Sequence, residues 1–498
     1  MDMCDRSLCL PPIVALAMGL PFVVAQPLGA TERVATKPNI IFILADDLGW
    51  GDLRCYGHPY AQTPNLDKLA SEGTRFTQFY ATGVTCCPAR TGLMTGRFPA
   101  TFQKYPASGG FAGRITVTEL LKKHGYATAH FGKWHIGPET RSGTYGIDVV
   151  GSTEEGVRGA KKKQKRDEAT SVRGRDAPMY DQAIRFIERH KDGRFYVNIW
   201  HHIPHHPVNP SRAVVDAFGP LEVDESRFSP QMAERFAICR KLGGDVSSHM
   251  QAYLAEVRAL DAEIGALLRR LDELGLSENT LIAFSSDQGP APIRESLGEP
   301  GEKENRKKPN KEGGHDTVDI RLNAMGSTGP FRGGKHDHHE GGVRVPFMVR
   351  WSGHVPAGRV DETSVLSGAD WLPTVCAVTG VKVPSTDFDG EDASAAWLGQ
   401  DFNRTKPLFW KTCSPNSDPA IRIGSWKLHA ARGKKGEVEL YDLATDPGET
   451  SNLAAKRPDL VQRFSDQLAA WTATLPKSYD HGDAKRRETG ARSARLDQ

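Results

Sequence analysis

The chain runs to 498 residues, with 64 Lys+Arg against 61 Asp+Glu, 38% hydrophobic residues and 25% charged. That is chain enough for a large buried core, and the balance excludes a disordered or membrane-embedded protein. A formal charge of +3 gives no argument for nucleic-acid binding, and eight cysteines without C-x-x-C spacing exclude a disulfide scaffold or a zinc ribbon.

The first element is an apolar run from Ile13 to Ala25, interrupted by Pro21. It is too short to span a bilayer but fits the core of a secretory signal, with Val23-Val24-Ala25 as a small-residue cleavage site. Residues 1–25 are therefore read as a signal peptide, and the protein as exported, periplasmic or secreted. From Asn39 the chain alternates strand and helix signals, the pattern of an α/β domain. Asn39 to Leu44 is an almost unbroken apolar run, as expected of a strand buried on both faces. Asn65 to Glu72 reads as a helix stopped by Gly73, and Thr116 to His124 as one stopped by Gly125. Phe195 to Trp200 is a second buried strand. Ser248 to Leu274 places Leu254, Val257, Leu260, Ile264, Leu267 and Leu271 on one helical face, and Gly275 caps it. Thr280 to Phe284 and Val343 to Trp351 read as further strands. Trp410 to Tyr441 supplies shorter strand-like segments, and Pro458 to Trp471 carries Leu460, Phe464, Leu468 and Trp471 at helical spacing.

Two segments read as irregular loops: 151–176, with the run Lys161-Lys162-Lys163-Gln164-Lys165-Arg166, and 290–329; they are solvated surface or, on the functional reading, a basic rim that attracts an anionic polymer. Three polar clusters fall just after apolar strands: Asp46-Asp47, His202 with His205, and Asp287-Gln288. Ligands in open α/β sheets bind outside the carboxyl ends of strands, so the three clusters point to one composite site.

Thr85-Cys86-Cys87-Pro88-Ala89-Arg90-Thr91-Gly92-Leu93-Met94-Thr95-Gly96-Arg97 holds C-x-P-x-R followed by L-x-T-G-R. Pro88 suits the first turn of a helix, which puts Cys86 near a helix N-terminus, where unpaired N–H groups favour an anion. The stretch resembles the signature of the formylglycine-dependent sulfatases of the alkaline phosphatase superfamily. The resemblance extends from about Pro38 to about Leu453. It takes in Asp46-Asp47-Leu48-Gly49, Gly132-Lys133-Trp134-His135-Ile136-Gly137, His202-Ile203-Pro204-His205-His206-Pro207 and Ser286-Asp287-Gln288-Gly289. It continues through Arg332-Gly333-Gly334-Lys335, Glu340-Gly341-Gly342-Val343-Arg344-Val345-Pro346 and the late Tyr441-Asp442-Leu443 and Asp446-Pro447 stretch.

The resemblance implies that Cys86 is oxidised to formylglycine by a formylglycine-generating enzyme and hydrated to a diol. A thiol would leave an adduct with no internal route to release, whereas a diol keeps a second hydroxyl that can expel sulfate. It implies one Ca²⁺, with Mg²⁺ as the alternative, held by Asp46, Asp47, Asp287, Gln288 and an oxygen on modified Cys86. Three carboxylates, an amide and no soft ligand suit such a hard cation on chemical grounds as well. Lys133 and Lys335 are assigned to the sulfate oxygens, Arg90 to fixing the diol, His135 to accepting the proton of the spare hydroxyl, and His205 to protonating the departing alcohol. Gln288 stands where the family more often has Asn, and Ala89 where it often has Ser. The stretch His336-Asp337-His338-His339-Glu340 is expected to face the substrate entrance, a second metal site being the other reading.

The expected fold is an alkaline-phosphatase-like α/β/α domain with a large, mixed, mostly parallel sheet over 38–395. A smaller C-terminal α+β subdomain with an antiparallel sheet follows over 396–475, then a flexible tail over 476–498. The expected substrate is a sulfated sugar or polysaccharide, closest to the N-acetylgalactosamine-6-sulfatase-like group, with 290–329 shaping a sugar subsite. A phosphonate monoester or phosphodiester hydrolase with the same formylglycine, or a silent glycan-binding module, are the alternatives.

Overall fold

The computed structural model describes residues 37–137, 140–151, 172–293, 320–383, 387–412, 418–431 and 436–480. The expected signal peptide, the Lys161–Arg166 run, most of the 290–329 insertion and the tail beyond Asp480 lie outside the described residues.

Among the described residues nine strands form the main sheet: β1 (Asn39–Ala45), β2 (Thr74–Tyr80), β3 (Ala127–Gly132), β4 (Val149–Gly151), β5 (Phe195–Trp200), β6 (Thr280–Ser286), β7 (Arg344–Arg350), β8 (Arg359–Asp361) and β9 (Leu366–Ser367). Their order is β4-β3-β5-β1-β6-β7-β2-β8, with β9 also pairing β2. All neighbours run parallel except β7, which is antiparallel to both β6 and β2. The sheet is thus mixed and mostly parallel, as expected.

The period-two alternation of a strand explains the two cores. Ile41 and Ile43 of β1 point into one, packed with Leu66 and Leu69 of α1 (Pro64–Ser71) and with Tyr180 and Phe186 of α4 (Ala177–Arg189). The long helix α5 (Val246–Glu273) lays Leu254, Leu260, Ile264 and Leu267 onto the same side. Ile40, Phe42 and Leu44 point to the other core, against Leu93 and Met94 of α2 (Cys86–Thr95), Leu120 and Leu121 of α3 (Val117–Lys123), and Trp371 and Leu372 of α6 (Trp371–Thr379). Helices therefore cover both faces. The capping box that starts α3 is complete: Glu119 N–H donates to the Thr116 hydroxyl, and Thr116 N–H to the Glu119 carboxylate.

A separate antiparallel sheet orders β10 (Leu408–Trp410), β11 (Ala420–Ile423), β12 (Trp426–His429) and β13 (Glu439–Asp442) in sequence. The helix α7 (Pro458–Ala473) packs Leu460, Phe464 and Leu468 on its Ile421, Leu428 and Leu440 face. The far end of the insertion is not solvated surface, contrary to the sequence reading. Leu322, Asn323 and Met325 are buried there, and Asn323 Nδ2 donates to the Val208 carbonyl at 2.8 Å.

Candidate active site

The strand directions explain why distant motifs converge. Parallel strands β1, β3, β5 and β6 end at one edge of the sheet, delivering Asp46-Asp47, Lys133 with His135, His201 to His205, and Asp287-Gln288. Strand β2 points the same way and leads into α2, whose first residue is Cys86. Because β7 runs oppositely, its beginning reaches this edge, so the segment before it brings Lys335. Glycines permit the close approach: a Cβ on Gly289 would lie 1.9 Å from the Gly341 carbonyl oxygen, which seats the Asp287-Gln288 turn directly on the turn that follows Lys335.

Cys86 is buried at the centre. Its thiol donates to Asp46 Oδ1 at 3.3 Å, with Lys133 Nζ and Gln288 Nε2 each 3.4 Å from the sulfur and Lys335 Nζ 3.7 Å away. Burial, then the Asp287 and Asp46 carboxylates, push the thiol well above its ordinary value. The sulfur is therefore protonated at neutral pH and a poor nucleophile as it stands.

Lys133 Nζ donates to Asp46 Oδ2 at 2.5 Å, and Lys335 Nζ to both oxygens of Asp47 at 2.7 and 2.8 Å. Arg90, wholly buried, donates from Nε and Nη2 to Asp287 Oδ2 at 3.0 and 2.7 Å, and from Nη1 to the Lys133 carbonyl at 2.7 Å. Three cations thus face three carboxylates. Burial alone would raise Asp46, but Arg90 and Lys133 hold it well below the usual carboxylate range. Burial and the Asp46 charge instead push Asp47 up to about 6, and they raise Asp287 as well. Asp47 adopts a left-handed backbone with φ 66°, and its N–H donates to Asp287 Oδ1 at 3.1 Å.

His135 also takes a left-handed backbone, φ 59°, and stands partly in solvent beside this cluster. The crowding around its ring, then Lys133 and Arg90, push the imidazole down to about 4. His205 Nδ1 donates to the His206 carbonyl at 2.5 Å, which leaves Nε2 facing Asp47 Oδ2 at 3.8 Å. Burial lowers its imidazole too. All ten site residues inferred from sequence lie around this one edge.

Residues 38–381 match the "Sulfatase" family model, and residues 334–472 match "N-sulphoglucosamine sulphohydrolase, C-terminal". The chain belongs to the sulfatase family. It is 30% identical to arylsulfatase A of Homo sapiens, covering 94% of each chain. It is 27% identical to an N-acetylgalactosamine-6-O-sulfatase of Bacteroides thetaiotaomicron, covering 93% of this chain and 98% of that one. Its fold is similar to Ps i-CgsB, solved with k-i-k-neocarrahexaose, at a TM-score of 0.68 and 23% identity over 90% of this chain and 96% of that one. The sulfatase is accordingly a sulfuric ester hydrolase, and no helix among its described residues is long and apolar enough to cross a membrane.

The donor set fits a hard cation. Asp46, Asp47 and Cys86 offer ligand atoms within 4.8 Å of one another. The Gln288 amide meets this cluster through Nε2, which donates to Asp47 Oδ1, while its Oε1 is buried with no hydrogen-bond partner, so a turn of the amide would present that oxygen to a cation. A buried amide oxygen without a donor is costly, and a cation would satisfy it.

Two features escaped the sequence. His339 and Glu340 do not face the substrate entrance as expected; both are buried and tie the main sheet to the C-terminal one. His339 Nε2 bonds Glu439 at 3.0 Å, while Glu340 accepts from Lys427 at 2.9 Å and from the Tyr80 hydroxyl at 2.6 Å. His339, His429 and Glu449 could be grouped as a metal site, but their polar atoms are already committed to this network. The second is Asp176, a buried carboxylate beside the His201–His205 turn that no motif marks.

Proposed function

We propose that the sulfatase removes sulfate from a sulfated carbohydrate, using Cys86 in its formylglycine form and one calcium ion. The observation that carries this reading is the setting of Cys86 at the first turn of α2, with Asp46, Lys133, Gln288 and Lys335 all within 3.3–3.7 Å of its sulfur. A thiol there is inert; a hydrated aldehyde supplies an attacking hydroxyl and a second one whose deprotonation can release sulfate. Asp46, Asp47, Asp287 and Gln288 would hold the calcium ion, which supplies positive charge to polarise sulfate oxygens.

The rest follows from this chain's own residues. Lys133 and Lys335 present ammonium groups on two sides of position 86, where they neutralise the sulfate's charge. Arg90 is locked by Asp287 and the Lys133 carbonyl, so it fixes the start of α2 and the acidic turn against each other. His135, held neutral, can take the proton of the spare hydroxyl. At His205 Nε2 the incoming anion raises proton affinity, so the imidazole can carry the proton that the departing alcohol needs.

A sugar substrate is supported by the name of the N-acetylgalactosamine-6-O-sulfatase relative. Maturation by a formylglycine-generating enzyme, export through residues 1–25, and a catalytic region over 38–395 followed by a smaller one over 396–475 belong to the same reading. The test is mass spectrometry of the Cys86 peptide together with sulfate release from sulfated saccharides. An active preparation should carry the aldehyde mass, and Cys86→Ala should abolish turnover with folding intact. Unmodified cysteine in fully active protein would overturn the mechanism.

A further inference from the structure

His205 sits on an irregular turn after β5, yet its role demands a fixed position. Two consecutive residues, Arg175 and Asp176, supply the anchoring. Asp176 occupies the N-cap position of α4, where an aspartate ordinarily accepts from the helix's own first turn. Here it makes no side-chain cap bond. Its carboxylate is turned instead onto the histidine turn, accepting from His201 Nδ1 at 3.0 Å, His202 N–H at 3.0 Å, His202 Nδ1 at 3.2 Å and Ile203 N–H at 3.3 Å. Burial would raise this carboxyl, but the donated bonds from His201 and His202 hold it well below the usual range.

Arg175 takes the opposite polarity of the same turn. Its Nη2 donates to the carbonyls of His202 and His205 at 2.9 and 2.8 Å, and its Nη1 to that of Pro207 at 3.3 Å. The guanidinium is braced in turn by Glu256 of α5 at 3.1 Å. Asp176 thus binds the turn's N–H groups and Arg175, the residue before it, its C=O groups. The bond to the His205 carbonyl fixes the very peptide that carries the imidazole. The fork spreads these bonds over two nitrogens, Nη2 on His202 and His205 and Nη1 on Pro207, a placement the single nitrogen of a lysine does not reproduce.

We propose that Arg175 and Asp176 are positioning residues that hold His205 where it can protonate the leaving group. The inference rests on the acid role of His205 stated above. Loss of a general acid is felt on a poor leaving group and little on one that departs as a stable anion. General acid catalysis is worth about 10²–10⁴-fold, so a displaced acid gives a loss that depends on the substrate, whereas partial unfolding scales all rates together.

The test compares 4-nitrophenyl sulfate with 4-methoxyphenyl sulfate in the full-length, matured, calcium-loaded protein. The variants are Arg175→Lys, Asp176→Asn and His205→Ala. The readout is the ratio of kcat/KM values for the two substrates within each preparation, which is independent of the fraction folded. The expected result is that all three variants lose at least about tenfold more activity on the methoxyphenyl ester. Should His205→Ala show that bias while Arg175→Lys and Asp176→Asn lose both substrates equally, the clamp is overturned and the acid role stands. Should His205→Ala itself show no bias, the acid role fails and takes the proposal with it.

Discussion

Removing the proposed calcium ion from the acidic cluster should make the metal-free protein respond to pH in a way the loaded protein does not. Burial and the Asp46 charge push Asp47 from 3.8 up to about 6 when only side chains surround it. A carboxyl raised in this way keeps a proton in the folded state that the unfolded chain has already lost. Its stabilising contribution is therefore complete below about pH 4 and lost as pH rises through 6. Asp287 is raised by the same causes and adds with the same sign. Asp46 is lowered, so its contribution is complete above 3.8 and does not change across this window. For Asp47 a shift of about two units at about 1.4 kcal/mol each amounts to about 3 kcal/mol. A bound cation holds these carboxylates ionised, so its binding must displace that proton. Calcium affinity should consequently strengthen about 100-fold between pH 4 and 6, one decade per pH unit for one proton, then flatten. Isothermal titration of chelator-stripped protein at several pH values, in buffers of different ionisation enthalpy, reads both the affinity and the proton released. Asp47→Asn should flatten the slope. An affinity that does not change over this range, with no proton release, would refute the linkage.

Gln288→Leu removes both the unpartnered Oε1 and the Nε2 that donates to Asp47; calcium binding, measured on stripped protein shown to be folded, should weaken by about tenfold or more, and equal affinity would remove Gln288 from the ligand set. Lys427→Met strips the cation shared by Glu340 and Glu449, both buried. Chemical denaturation should show a loss of about 3–5 kcal/mol, the cost of leaving buried charge uncompensated, and a loss below about 1 kcal/mol would mean the network is not desolvated. In its proposed role His135 must be neutral to accept a proton; side chains alone push it down to about 4 and a bound calcium ion would lower it further, so kcat/KM of calcium-saturated enzyme should hold to well below pH 6, with any His135 acid limb at or below about 4. An acid limb near the ordinary imidazole value of about 6.5 would contradict its environment.

What was legible in the sequence follows from how local each signal is. Strands β1, β5 and β6 are buried on both faces, so their apolar runs stand out, and the polar residues at their ends belong to the site by the geometry of parallel sheets. Strand β2 reads Thr-Arg-Phe-Thr-Gln-Phe-Tyr and β3 reads Ala-Thr-Ala-His-Phe-Gly; both are mixed in polarity and gave no comparable signal. The reversal of β7 is equally invisible in its apolar run. Nothing local tells an antiparallel from a parallel neighbour, yet that reversal is what brings Lys335 to the site. The same limit accounts for Asp176 and for the His339–Glu340 network. A carboxylate in a turn and a histidine in a polar stretch look solvated until their partners are known. For Asp176 those partners are 25 to 27 residues away in the chain, and for Glu340 they include Lys427, 87 residues away. In both cases the buried charge is tolerated because other segments fully commit its hydrogen bonds, and that commitment is a property of the tertiary fold rather than of any window of sequence. Candidate catalytic side chains are thus readable where chemistry restricts residue type, as at Cys86 and Lys133. The groups that hold them in place are restricted only by geometry, and only the structure displays them.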